Sequence, residues 1–270
     1  MVEISSLSGR RVLMLVQNLP VPFDRRVWLE AQALSGAGAD VTVISPDGPK
    51  YPAGVQKISG VQVARYKQPK EADSPIGYLG EYFLSLSRMG KIARGFDKEQ
   101  SFDVIHFCNP PDLLSLIALF FKLKSKSRVI FDQHDLGPEL VRAKNMRFSI
   151  LFELIARFFE SIAYSVADVV ISTNLSYLEK ATSRGRKKPE DVFVVRSGPN
   201  RHWPDDAVED PKWRNHRKYH LAYLGVMGAQ EGIDQLLQVL RILVIDRELD
   251  VQLTLVGGGT ELNSLQALAN

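Results

Sequence analysis

Residues 128–140 read Arg128-Val129-Ile130-Phe131-Asp132-Gln133-His134-Asp135-Leu136-Gly137-Pro138-Glu139-Leu140. The first half is a short apolar, β-branched run, the composition of a strand buried on both faces. The second half crowds Asp132, His134, Asp135 and Glu139 around a Gly-Pro break. In open α/β sheets, ligands sit beyond the carboxyl ends of the strands, where loops carry polar groups without giving up core. The stretch therefore predicts a parallel sheet with chemistry at its carboxyl edge.

Working outward, 102–107 reads as the preceding strand, with Asn109-Pro110-Pro111-Asp112 leading into a helix over 113–123 and a basic connector over 122–128. Downstream, 148–167 is a long apolar helix and 168–173 a buried strand. Asn174 caps a helix ending near Arg184-Gly185, and 191–195 is a last strand that exits through Arg196-Ser197-Gly198-Pro199-Asn200. Near the N-terminus, 11–17 is a buried strand that Pro20 and Pro22 terminate by removing backbone donors. Asp24 then caps a helix that Ser35-Gly36-Ala37-Gly38 ends, and 40–45 is the next strand. Residues 60–66 alternate weakly and suggest a third strand. Over 75–96, Tyr78, Leu79, Tyr82, Phe83, Leu86, Met89 and Ile92 recur at helical spacing, with Arg88, Lys91 and Arg94 towards the end. This stripe either faces the core or lies on a membrane surface. Together these elements predict one doubly wound domain over 1–200.

Residues 201–217 are polar, without apolar period, and read as a linker. The pattern then restarts over 218–270: a strand at 220–224, the glycine loop Gly225-Val226-Met227-Gly228-Ala229-Gln230-Glu231-Gly232, a helix at 233–245, a strand at 251–256, and a helix from about Thr260. Two strands do not make a stable parallel sheet. The expectation is a second domain cut short, so that the 270-residue chain is inactive by itself, with Leu236, Leu237, Leu240 and Leu243 exposed or packed in a makeshift way.

At 45% hydrophobic and 24% charged, the 270 residues exclude wholesale disorder, and a net charge of +3 gives no reason to invoke nucleic acid. Cys108 is the single cysteine, so no disulfide forms within the chain and a reducing cytoplasm is the simple expectation. No apolar run reaches the roughly 18 residues that span a bilayer. Basic clusters at 78–94 and 122–128 add a possible anionic membrane surface as partner, on the inner face of the cell membrane.

Six segments, by order and spacing, carry a resemblance: Val12-Leu13-Met14-Leu15; Asp24-Arg25-Arg26-Val27; Asp103-Val104-Ile105-His106; Phe131-Asp132-Gln133-His134-Asp135; Ala167-Asp168-Val169-Val170-Ile171-Ser172; and Val195-Arg196-Ser197-Gly198-Pro199-Asn200, followed by Tyr223-Leu224-Gly225 with Gly232. The chain resembles family 4 glycosyltransferases of the GT-B fold, which pair two Rossmann-like domains. The resemblance implies an N-terminal domain on the acceptor side, with Asn18, Asp24, Arg25, His106 and Asn109 in its loops. It implies a C-terminal domain holding a nucleoside-diphosphate sugar at Gly225, Gly228, Glu231 and Gly232. It also implies His134, with Asp135, at the catalytic position beside the donor sugar. The family places an arginine after the first glycine and a lysine before the last; Val226 and Glu231 stand there instead. Phosphate charge must then meet backbone amides or cations elsewhere.

The residues alone leave other readings open. His134 can instead bond Asp132 or Asp135 to close the turn. Paired-carboxylate hydrolysis lacks an opposing acidic cluster. Metal binding by His134, Asp132 and Asp135 is one local cluster, and the resemblance implies neither metal nor cofactor. Cys108 reads as packing before nucleophile. The functional expectation is transfer of a sugar to a lipid-linked or saccharide acceptor, with retention, in surface-polysaccharide or glycolipid synthesis. The alternatives are a non-catalytic acceptor-binding module and a GT-B-shaped sugar-nucleotide epimerase.

Overall fold

The computed structural model describes residues 6–69, 75–143, 149–198, 213 and 215–269. The chain forms two compact units, Met1–Gly198 and Pro199–Asn270.

The first unit runs β1 (Arg11–Leu15), α1 (Arg25–Gly36), β2 (Asp40–Pro46), β3 (Gly54–Ile58), β4 (Val61–Tyr66), α2 (Pro75–Glu99), β5 (Val104–Cys108), α3 (Ser115–Ser125), β6 (Arg128–Gln133), α4 (Gly137–Ala143), α5 (Ser149–Val166), β7 (Val169–Ser172), α6 (Leu175–Ser183) and β8 (Val192–Val194). Its eight strands lie in the order β3-β4-β2-β1-β5-β6-β7-β8. All pair in parallel except β3 with β4. Alternation along the strands sends successive side chains to opposite faces. Leu13, Leu15, Ile105, Phe107 and Phe131 enter one core, while Val12, Met14, Val41, Val43 and Cys108 enter another beside Val27 and Ala31 of α1. The sheet is covered on both faces, as a parallel sheet requires.

Two elements differ from the sequence reading. Gly54–Ile58 forms an exposed edge strand joined to β4 by Ser59 and Gly60, whose φ angles of 46° and 85° give the two-residue hairpin turn suited to twisted strands. A polar edge strand carries almost no apolar pattern, which hid it. The Gly-Pro pair at 137–138 starts α4 rather than breaking the chain, because proline's fixed φ and missing donor cost nothing in a first turn.

In α2, Met89 and Ala93 are buried and Leu86, Ile92 and Phe96 pack against the core, whereas Phe83 is 52% exposed. The stripe thus faces the core through the second half of the helix. Side chains of Tyr78 and Leu79 lie outside the described residues.

The second unit contains β9 (Tyr219–Val226), α7 (Ile233–Arg241), a π-helical turn (Ile242–Asp246), β10 (Val251–Gly258) and α8 (Leu262–Ala269). The helix expected to run to 245 widens after Arg241. β9 and β10 pair in parallel as a two-stranded sheet. Its core is small: Met227, Ile233 and Leu265, with Tyr223, Leu237, Leu255 and Leu262 against them. Leu236, Leu240 and Leu243 are half-buried like Leu237. The exposed side chains are others, Leu224 at 82% and Ile245 among them. Of the linker over 201–217, residues 201–212 and 214 lie outside the described residues.

Candidate functional site

The carboxyl edge of the first unit is built around Asp132. Phe131 points into one core, so its neighbour points to the face that α1 covers, and Asp132 there is 0% exposed. A carboxylate so placed must be paired and hydrogen-bonded. Arg26, two residues after the Asp24 cap, reaches it with two bonds, Nη2 to Oδ1 at 2.7 Å and Nε to Oδ2 at 3.2 Å. This fork is the geometry a guanidinium matches best. Nη1 of Arg26 also donates to the carbonyl of Val195 at 2.8 Å, fastening the exit from β8 to α1.

His134 Nε2 lies 2.5 Å from Asp132 Oδ2. Burial alone would raise the Asp132 carboxyl, but the imidazoles of His106 and His134 and the Arg26 guanidinium outweigh it and hold Asp132 well below the usual carboxylate range. Glu30, one turn after Arg26, behaves oppositely: burial first, then the charge of Asp132, pushes it up to about 7 against the pull of His106 and Arg26. Its oxygens stand 3.2 Å from Arg26 Nε and 3.6 Å from His106 Nε2, in neither case with hydrogen-bond geometry. The cluster therefore holds one carboxylate firmly ionised and another poised to take a proton.

Asn109 organises the turn beyond β6. Its Oδ1 accepts from the backbone N–H of His134 at 2.8 Å and of Asp135 at 3.1 Å; its Nδ2 donates to Asp112 Oδ1 and to the Asp135 carbonyl. Burial pushes the Asp112 carboxyl up to about 7, against the lowering bond from Asn109. Burial also raises the Asp135 carboxyl, opposed by His134.

The structure thus brings His134, Asp135, Asn109 and His106 together in the first unit. His106 is not a loop residue: it lies inside β5, 3% exposed, because strand alternation turns it under α1 towards Glu30 and Asp132. Asp24 is buried, accepting from the Val27 N–H as the α1 cap, while Asn18 and Arg25 are exposed. Arg26 and Glu30, central to the cluster, were missed as site residues. Their signal was a cation and an anion four residues apart just inside a capped helix.

Gly225, Gly228, Glu231 and Gly232 lie in the second unit, at the end of β9 and in the loop to α7. Gly232 has φ +66°, which favours glycine, and Glu231 is exposed. Gly257 in β10 faces Gly225 so closely that a Cβ there would meet the Gly225 carbonyl. A cleft of about 240 Å³ opens beside Gly228, and its charged lining is acidic, Asp234 and Glu261.

His106, Cys108 and Asp132 place possible metal-ligating atoms within 4.8 Å of one another, all buried. Their chemistry does not fit an ion: Asp132 is committed to Arg26 and His134, a guanidinium occupies the cluster, and burial with nearby carboxylates pushes the Cys108 thiol well up, keeping it protonated.

The fold is that of GT-B glycosyltransferases. Sucrose-phosphate synthase from Thermosynechococcus elongatus superposes with a TM-score of 0.65 at 17% identity, covering 92% of this chain and 62% of that one. The catalytic domain of starch synthase IV from Arabidopsis thaliana, bound to ADP and acarbose, gives 0.61 at 12%, covering 96% and 70%. Anabaena Alr3699/HepE, in complex with UDP and glucose, gives 0.59 at 15%, covering 96% and 64%. The chain thus spans about 62% of the length of the synthase it matches. No curated protein matches it. The Glycosyltransferase Family 4 signature matches residues 24–201, more than half of the sequence, and the chain belongs to that family. Among the described residues no helix is long and apolar enough to cross a membrane.

Proposed function

We propose that this protein transfers a sugar from a nucleoside-diphosphate sugar to an acceptor, with retention of configuration, in surface-polysaccharide or glycolipid synthesis. The observation that carries the reading is His134, fixed at the carboxyl edge by a buried, ionised Asp132 in a family 4 chain. With Nε2 given to Asp132, the ring keeps Nδ1 for a ligand, and its backbone carbonyl can face a cationic transition state. The bond to Asp132 fixes the ring and is compatible with that role, in the manner of a carboxylate that orients a working imidazole. Solved structures of this fold with bound ADP or UDP support a nucleotide donor, held on this reading by the second unit near Gly225, Gly228, Glu231 and Gly232. The first unit then carries the acceptor, lipid-linked or saccharide, and the protein works in the cytoplasm, on the inner membrane face where the acceptor is a lipid. Metal and cofactor have no part in this reading.

A thermal-shift panel of nucleotide sugars tests it, since a ligand that binds only the folded state raises the melting temperature by mass action. At least one nucleotide sugar should stabilise the protein; stabilisation by none rejects the proposal. In a form of the enzyme that turns over, His134→Ala should lower turnover by about 10² with the fold intact, as for loss of one preorganised group. Unchanged turnover rejects the role of His134.

A further inference from the structure

A cleft of about 320 Å³ lies on the first unit between α1 and the exit from β8, lined by Arg25, Arg26, Leu29, Ala33, Val195 and Arg196 among others. Two of its three arginines have no carboxylate or other partner among the described residues. Arg25 and Arg196 are exposed cations with no hydrogen bond or ion pair, whereas Arg26 is consumed by Asp132 and the Val195 carbonyl. The acid in the wall, Glu30, is half-buried and faces Arg26 and His106 rather than the other two arginines, and burial together with the charge of Asp132 raises its carboxyl. The opposite character comes from Leu29 and Ala33, which continue down α1 at helical spacing, and from the half-open side chain of Val195. The cleft therefore combines two exposed cations with apolar wall. The Arg26 bond to the Val195 carbonyl ties its two walls together, and Arg26 is anchored in turn on Asp132.

We propose that this cleft is an anion site for a phosphate or diphosphate group on the acceptor, with the acceptor's apolar body along Leu29, Ala33 and Val195. Guanidinium groups bind phosphate oxygens in paired, charge-assisted bonds, and two free guanidiniums rimming one cleft match a group carrying several such oxygens. The inference rests on the acceptor-side reading of the first unit and narrows that acceptor to a phosphorylated, partly apolar molecule.

Calorimetric titration of the full chain tests it, with phenyl phosphate as probe and benzyl alcohol as the uncharged control. Phenyl phosphate should bind and benzyl alcohol should not. The exposed double variant Arg25→Gln, Arg196→Gln should bind phenyl phosphate at least tenfold more weakly, with an unchanged melting temperature. Arg25→Lys, Arg196→Lys should lose less. No binding by the wild-type chain, equal binding of the alcohol, or unchanged binding by the glutamine variant overturns the proposal. Uridine diphosphate, titrated in parallel, separates the sources of the phosphate. Its binding should be the same in wild type and glutamine variant, and a matching tenfold loss assigns the cleft to the donor and overturns the acceptor reading. These readouts need no turnover, so failure of the nucleotide-sugar panel and failure of this site are distinguishable.

Discussion

The two units use the same local grammar, strand, loop, helix, to different effect. In the first, β1 is buried at every residue and α1 starts on an aspartate cap that accepts from Val27. In the second, β9 has no buried residue, each being exposed or half-buried, and α7 starts at Gly232 without any side-chain cap. Both strands are mostly apolar, four of five residues in β1 and six of eight in β9, so composition alone does not explain the contrast. Neighbours do: β1 lies between two parallel strands under helices on both faces, whereas among the described residues β9 has one partner strand. A parallel strand is stable in proportion to what flanks and covers it. The same contrast holds for charge, since the first unit can bury and pair Asp132 while Glu231 and Asp234 stay exposed.

The largest expected effect tests the core side of this contrast. Phe131→Ala, in a side chain stacked on Phe107 at 4.9 Å and wholly buried, should cost about 3–5 kcal/mol in urea unfolding. A cost below about 1 kcal/mol would mean that the first unit is not packed as described.

Next comes pH. Glu30 is raised from 4.5 to about 7, so the folded chain holds its proton more tightly than the unfolded chain does. Its contribution is fully present below about pH 4.5 and declines as pH rises through about 7, by an amount on the order of 3 kcal/mol at about 1.4 kcal/mol per unit. Asp112 adds a loss of the same sign between 3.8 and about 7. Asp132 works the other way: its carboxylate stabilises above the ordinary value of 3.8, and that contribution disappears as pH falls further. Stability curves at pH 5 and pH 8 should therefore converge in Glu30→Gln relative to wild type. An identical pH dependence in both would remove Glu30 from the buried cluster.

The smallest effects belong to the second unit. Leu224→Ala should change stability by less than about 0.5 kcal/mol, because its side chain is already in solvent. Hydrogen exchange sharpens the comparison: amides of β9 and β10 should exchange before those of β1, β5 and β6. Protection in β9 equal to that in β1 would erase the difference between the units.

Much of this was legible in the residues. The apolar runs gave β1, β2, β5, β6 and β7 within a residue or two, because a strand covered on both faces must be apolar throughout. β3 was not legible, since an exposed edge strand has no core to satisfy, and α4 was hidden because Gly-Pro reads equally as a stop and as a start. At the site, His134 and Asp132 stood out by their place at a strand end. Their partner Arg26 is 106 residues away, and no local pattern states which arginine of a basic helix turns inward. The orientation of His106 follows from counting strand positions, but Glu30 beneath it depends on the rotation of α1 over the sheet.

The claim on which the site depends is that the ionised Asp132 carboxylate, rather than packing alone, joins α1, the end of β6 and the exit of β8 into one structure. A double-mutant cycle on Arg26→Met and Asp132→Asn in the full chain measures this directly. The account predicts a coupling of about 1.5–3 kcal/mol, with each single variant costing more than its share because it strands a buried partner. Additivity of the two substitutions within about 0.5 kcal/mol would contradict it.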